Sequence, residues 1–121
     1  MSDFDIHAAA VRIHHQYSAR RRQALARRER AQAFGRSLAP LLAAADAGLL
    51  RVWGFGSTFE TWRNYRLDSD LDLGIEGGNN SLLLDHIPPS EFEVSLIDLA
   101  DQPDSFVLGI KAHGVLLYER K

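Results

Sequence analysis

The chain has 121 residues, 45% of them hydrophobic and 25% charged, which predicts one folded domain around a single core. It holds no cysteine, so disulfides, thiolate metal sites and cysteine nucleophiles are excluded, and a cytoplasmic location is the natural expectation. The net charge of −2 is unevenly spread: residues 1–36 carry eight arginines against Asp3, Asp5 and Glu29, and acidic groups dominate the rest, which predicts a basic arm and an acidic, site-bearing body.

From about Asp5 to Gly48 the chain shows no strand-like alternation and is rich in Ala, Leu, Arg and Gln, which predicts helix. Ala31, Phe34, Leu38, Leu41 and Leu42 recur at three- and four-residue steps as an apolar stripe. Pro40 is awkward in one continuous helix: either the helix kinks there, or a second helix starts at Ser37 and carries Pro40 in its first turn. Gly48 reads as a C-terminal stop.

Arg51 to Phe55 reads as a short strand running into Gly56-Ser57, and residues 58–66 allow one or two helical turns. Leu71 to Ile75 predicts a second strand, ended by Gly77-Gly78-Asn79-Asn80. A short helix over Ser81 to His86 is followed by the turn that Pro88-Pro89 imposes. Glu91 to Leu99 predicts a third strand, whose Val94, Leu96, Ile97 and Leu99 suggest burial on both faces. Pro103 to His113 is punctuated as a helix, with Gly114 after it, and Val115 to Tyr118 makes a last strand. The expected class is α/β (α+β): a small mixed β-sheet of about four strands packed with helices, preceded by a long N-terminal helical arm. Residues 1–48 form the arm and 49–121 the core, one compact domain overall.

The opening MSDFDIHAAAVRIHH lacks the apolar run of a secretory signal, and no stretch reaches the ~18 apolar residues of a membrane span, so a soluble protein with no membrane partner is expected. On a helical wheel Arg20, Arg21, Arg22, Arg27, Arg28 and Arg30 spread around most of the circumference, with no aromatic platform beside them. They read as a solvated helix or a docking arm, and nucleic acid is not expected as a partner. His7, His14 and His15 lack the i, i+4 spacing of a helical metal pair, and His86 and His113 have no evident partner. Trp53, Phe55 and Phe92 read as core; Trp62 and Tyr65 fall in a polar loop where they could equally line a nucleotide pocket.

The chemistry concentrates between Val52 and Leu73. A strand ending in Gly56-Ser57 lets the backbone approach a ligand closely, and a following helix turn would aim free N–H groups at a phosphate, with the Ser57 hydroxyl beside them. Asp70 and Asp72, one residue apart on a predicted strand, would direct both carboxylates to one face. Two adjacent carboxylates repel unless a cation sits between them, and Mg²⁺ pairs carboxylates with substrate phosphates. A phosphate cradle beside such a pair suits metal-assisted nucleotidyl transfer.

These residues resemble the minimal nucleotidyltransferases of the DNA polymerase β superfamily: hydrophobic-Gly-Ser, a spacer over residues 58–69, then Asp70-Leu-Asp72-Leu. The similarity extends through Val94-Ser-Leu-Ile-Asp-Leu99 to His113-Gly-Val-Leu-Leu-Tyr-Glu119, so that it spans about residues 50–119. The resemblance implies a polymerase β-like fold. It also implies that Asp70 and Asp72 ligate Mg²⁺ or Mn²⁺ and that Gly56 and Ser57 hold a nucleoside triphosphate, ATP or another. The implied reaction moves a nucleoside monophosphate to a hydroxyl, the acceptor being a protein: in many relatives a helical HEPN partner in a toxin–antitoxin pair. Self-association through the N-terminal helix is a further expectation.

Two departures stand out. Ser95 occupies the place of the family's third carboxylate, for which Glu93, two residues earlier, is the candidate substitute as metal ligand. Thr58-Phe59-Glu60-Thr61-Trp62 replaces the arginine-containing run usual after Gly-Ser, leaving Arg63 and Arg66 as candidate phosphate contacts. The alternative reading is a nucleotidyltransferase-like module that is catalytically weak or inactive and acts by docking to a partner protein.

Overall fold

A single helix, α1 (Asp3–Ala45), opens the chain and passes through Pro40 without a break. The computed structural model describes residues 3–121, with side chains from Ile6 onward. No second helix begins at Ser37, whose hydroxyl instead donates to the carbonyl of Phe34 at 2.8 Å. A proline inside a helix costs ~3 kcal/mol. Here the deprived carbonyl belongs to Arg36, which like Pro40 is exposed, while Leu38, Ala39, Leu42 and Ala43 around it are buried. Their burial offsets the lost bond. Leu41, expected in the apolar stripe, lies off it and is 42% exposed.

The rest of the chain forms β1 (Leu49–Phe55), α2 (Gly56–Phe59), β2 (Leu71–Gly77), α3 (Asn80–Asp85), β3 (Val94–Asp98), a 3-10 turn (Leu99–Asp101), α4 (Asp104–His113) and β4 (Val115–Glu119). The fold is thus mixed α+β: a long N-terminal helix and a four-stranded mixed sheet with helices. Strand order is β3-β2-β1-β4. β1 pairs antiparallel with β2 and β4, and β2 pairs parallel with β3. The parallel pair needs a crossover, which α3 and the Pro88-Pro89 turn provide.

Alternation along β2 separates two faces. Leu71, Leu73 and Ile75 are fully buried against α1, together with Leu38, Leu42, Leu49, Val52, Phe59 and Leu83. Asp72, Gly74 and Glu76 face the other side, where Glu76 meets Lys111 of α4 at 2.8 Å and Gly74 lies under Leu99. Phe59 is wedged between helix and sheet: a Cβ at Gly35 or Gly54 would come within 2.9 or 2.4 Å of its ring. Asp46 ends α1 by accepting the N–H groups of Gly48 (2.9 Å) and Asn79 (2.7 Å). Those bonds, Asn79 first, hold its carboxyl below the ordinary range.

Three strand expectations are corrected. β3 begins at Val94, not Glu91: Arg30 grips Glu91 with two bonds (3.1 and 2.9 Å), while Ser90 and Phe92 bond to each other as a bend. Burial on both faces of β3 is absent, because it is an edge strand, half-exposed throughout, and Leu99 belongs to the 3-10 turn. Asp70 precedes β2, which starts at Leu71.

The arm is not separate from the core. Its burial begins at Arg28, and Ala31, Leu38, Ala39, Leu42 and Ala43 join the common interior. Ile6, Ile13 and Tyr17, earlier on the same helix, are 54%, 66% and 64% exposed. Among the described residues no helix is long and apolar enough to cross a membrane.

Candidate active site

β1 delivers the chain to the Gly56-Ser57 bend. Gly56 has φ +70°, a left-handed conformation that L side chains adopt only at a cost. The close approach is equally restrictive: a Cβ there would lie 2.5 Å from Asp72 Oδ2. The bend and the Asp72 carboxylate therefore touch, as the antiparallel register of Phe55 with Asp72 requires.

Asp72 is half-buried, and its carboxyl is raised above the ordinary carboxylate range by burial, then by the charge of Asp70, then by that of Glu60. Asp70 is exposed, just before the strand; its carbonyl accepts the hydroxyl of the fully buried Thr58 at 3.1 Å. That bond ties α2 to the chain entering β2. In the parallel register Ser95 stands opposite Asp72. Glu93 is exposed and lies beside Asp70, its carbonyl accepting the N–H of Leu71 at 2.9 Å. Among the described residues no three His, Asp or Glu side chains converge as a ready metal cluster.

Helix α2 has only four residues: the Gly56 carbonyl accepts the N–H of Glu60 at 2.8 Å, and the carbonyls that follow it lack intrahelical partners. Helix α1 supplies them. Arg28 donates to Ser57 O (2.9 Å) and Arg63 O (2.6 Å), and Gln32 donates to Thr58 O (2.8 Å). Arg28 also lies over the Tyr65 ring, 5.1 Å from its centroid. Two arginines expected on a solvated arm are thus structural: Arg28 is 9% exposed, and Arg27 packs over Phe92. Trp53, Phe55 and Phe92 are half-buried: Phe92 packs against the core, whereas Trp53 and Phe55 lie outside it, Phe55 meeting Phe106 of α4 edge-on at 5.8 Å.

Glu60 was not anticipated. Buried to 5% exposure, its Oε2 accepts the N–H of Gly56 at 2.8 Å and forms an ion pair with Arg63, whose Nε lies 2.9 Å away. The donor expected to face a phosphate and one of the two arginines expected to bind it both engage an internal carboxylate. The only sequence signal was an acid where the resembling family carries arginine. Arg66 is exposed, and its backbone N–H donates to Ser69 Oγ at 2.9 Å. Ser57 is half-exposed beside the bend, and among the described residues its hydroxyl makes no hydrogen bond. His86 Nδ1 lies 2.9 Å from Leu82 O, and His113 packs against Trp62, rings 5.6 Å apart.

Comparison with protein-family models, with curated proteins and with solved structures finds no match in any of the three. The functional reading therefore stands on the residues.

Proposed function

We propose that the chain is a Mg²⁺- or Mn²⁺-dependent nucleotidyltransferase of polymerase β-like fold, moving a nucleoside monophosphate, AMP from ATP in the simplest case, to a hydroxyl of a protein partner. The observation that carries this reading is the contact between Gly56 and Asp72, the glycine–serine bend lying against the second aspartate of the Asp-x-Asp pair.

The donor set fits a hard divalent cation. Burial raises the carboxyl of Asp72 and the charge of Asp70 raises it further, so the two charges repel, and a cation bound by their oxygens relieves that repulsion. Asp70 and Asp72 would hold the ion, with Glu93 as candidate third ligand where Ser95 supplies no charge. The ion, when bound, neutralises charge on the phosphates and helps align the reacting oxygens. The protein's own groups position the substrate: Ser57 donates its hydroxyl to the triphosphate, and the Gly56 N–H does so once Glu60 withdraws. The acceptor oxygen bonds to the α-phosphorus as the α–β bridging bond breaks; pyrophosphate leaves and the hydroxyl proton passes to solvent.

The acceptor in this reading is a helical HEPN-type protein, modified as in a toxin–antitoxin pair. Two observations favour a second reading, a weak or inactive module that acts by docking: Ser95 stands opposite Asp72, and Glu60 already satisfies the Gly56 N–H. Incubation with labelled ATP, Mg²⁺ and a co-purified partner separates the two. Label transfer that disappears in Asp70→Ala and increases in Ser95→Asp supports the enzyme. Partner binding that survives Asp70→Ala, with no transfer in any variant, supports the module.

A further inference from the structure

Arg63 and Arg66 do more than flank the bend. With the middle of α1 they wall an open cleft of about 670 Å³, within the range of roughly 300–1,000 Å³ typical of ligand pockets. Five arginines and no acidic residue line it, and neither Asp70 nor Asp72 does. We propose that this cleft binds single-stranded nucleic acid, taking one or two nucleotides of a longer strand.

Charge gives the first argument. Arg20, Arg21 and Arg66 are exposed, and among the described residues none of them forms an ion pair. Three unpaired guanidinium groups around one concavity suit a chain of phosphates. The wall is also held in advance, since Arg28 bonds the carbonyls of Ser57 and Arg63 and lies over Tyr65.

The aromatic rings give the second. Trp62 and Tyr17 both line the cleft and are 63% and 64% exposed. Trp62 is steadied by His113, whose ring lies 5.6 Å away at 73°. Exposed rings beside arginines are a stacking platform for unpaired bases. An acidic peptide would match the arginines and leave the rings without partners, and a duplex keeps its bases stacked inside. The arginines of α1 make no stripe by themselves; the cleft exists because residues 61–67 fold over Tyr17, Arg20 and Arg21.

The test is fluorescence anisotropy of a labelled six-nucleotide oligouridylate with the full chain in metal-free buffer, so that nucleotidyl transfer plays no part. Three phosphate contacts predict a slope of about −2 for log affinity against log salt, falling to about −0.7 in Arg20→Ala/Arg21→Ala. Trp62→Ala weakens binding by between about five- and 150-fold, the loss of one stacked base, and Trp62→Phe recovers most of it. Asp70→Ala/Asp72→Ala binds like wild type, which separates this site from the proposed catalytic pair. Far-UV circular dichroism and melting curves check that each variant is folded. The proposal is overturned if Trp62→Ala binds unchanged, if polyglutamate or a duplex competes as well as the strand, or if AMP displaces the strand at equal nucleotide concentration. The last result would make the cleft a mononucleotide seat.

Discussion

The carboxylate of Glu60 accepts the backbone N–H of Gly56 at 2.8 Å, so a residue four positions beyond the bend satisfies the donor that the bend would offer a phosphate. The same oxygen holds Arg63 at 2.9 Å, and the Glu60 charge bears on Asp72. An anion seated at Gly56 therefore competes with an anion of the chain itself.

Glu60→Gln removes that charge and keeps the size of the side chain. Binding of a non-hydrolysable triphosphate analogue with Mg²⁺ is expected to tighten about tenfold, ~1.4 kcal/mol, because like charges no longer meet in a partly buried site. Isothermal titration calorimetry measures it. Unchanged affinity would mean that the phosphates do not approach Gly56.

Gly56→Ala meets two obstacles. The left-handed conformation costs about 1–2 kcal/mol for a residue with a Cβ, and the added methyl would press on Asp72 Oδ2. Asp72→Ala removes the second obstacle alone. The substitution at Gly56 is therefore expected to destabilise less in the Asp72→Ala background than in wild type, a coupling that denaturant unfolding of the four proteins reveals.

Asp72 should carry a stability penalty of known sign. Its carboxyl is raised in the folded state, so the native protein holds this proton to higher pH than the unfolded chain. Stability is unaffected below the unfolded value of about 3.9 and falls as pH rises through the raised folded value. Asp72→Asn is expected to melt higher than wild type near neutral pH and to lose that advantage in acid. Added Mg²⁺ narrows the neutral-pH gap by stabilising wild type only. An equal or lower melting temperature for the variant at pH 7 would contradict the assignment.

Glu76 has the opposite sign. Burial alone would raise its carboxyl, but hydrogen bonds from Lys111, Trp53 and Arg51 outweigh it and hold the carboxyl below the ordinary range. Its stabilisation is present above the unfolded value and is lost as pH falls through the lowered folded one. Because Lys111 lies on α4 and the other two donors on β1, Glu76→Gln should loosen that helix from the sheet. The expected cost is about 1.5–3 kcal/mol at pH 7, shrinking toward acid, as read from urea unfolding.

Legibility differed between elements for physical reasons. Leu71, Leu73 and Ile75 alternate with polar or small residues, and the strand they predict is the central β2, because period two is local information. β3 misled because Val94, Leu96 and Ile97 read alike on a buried or an edge strand; only the order β3-β2-β1-β4 leaves one side open. Pro40 misled because the propensity cost is local and the compensating burial of Leu38 and Leu42 is not. The roles of Glu60, Arg28 and Gln32 were not legible, since each acts on a backbone group of α2 and backbone partners leave no trace in side-chain patterns.

The order of residues by itself determined the types of the main elements, the glycine–serine bend after the first strand and the Asp-x-Asp pair at the start of the second, since each depends on chain neighbours. Tertiary structure alone decided that Gly56 touches Asp72, that Ser95 stands across from it, and that Glu60 fills the bend. It also decided that arginines scattered around a helix meet an aromatic loop in one cleft. Those relationships join segments far apart along the chain or set by side-chain direction, and packing of the sheet against α1 is what brings them within reach.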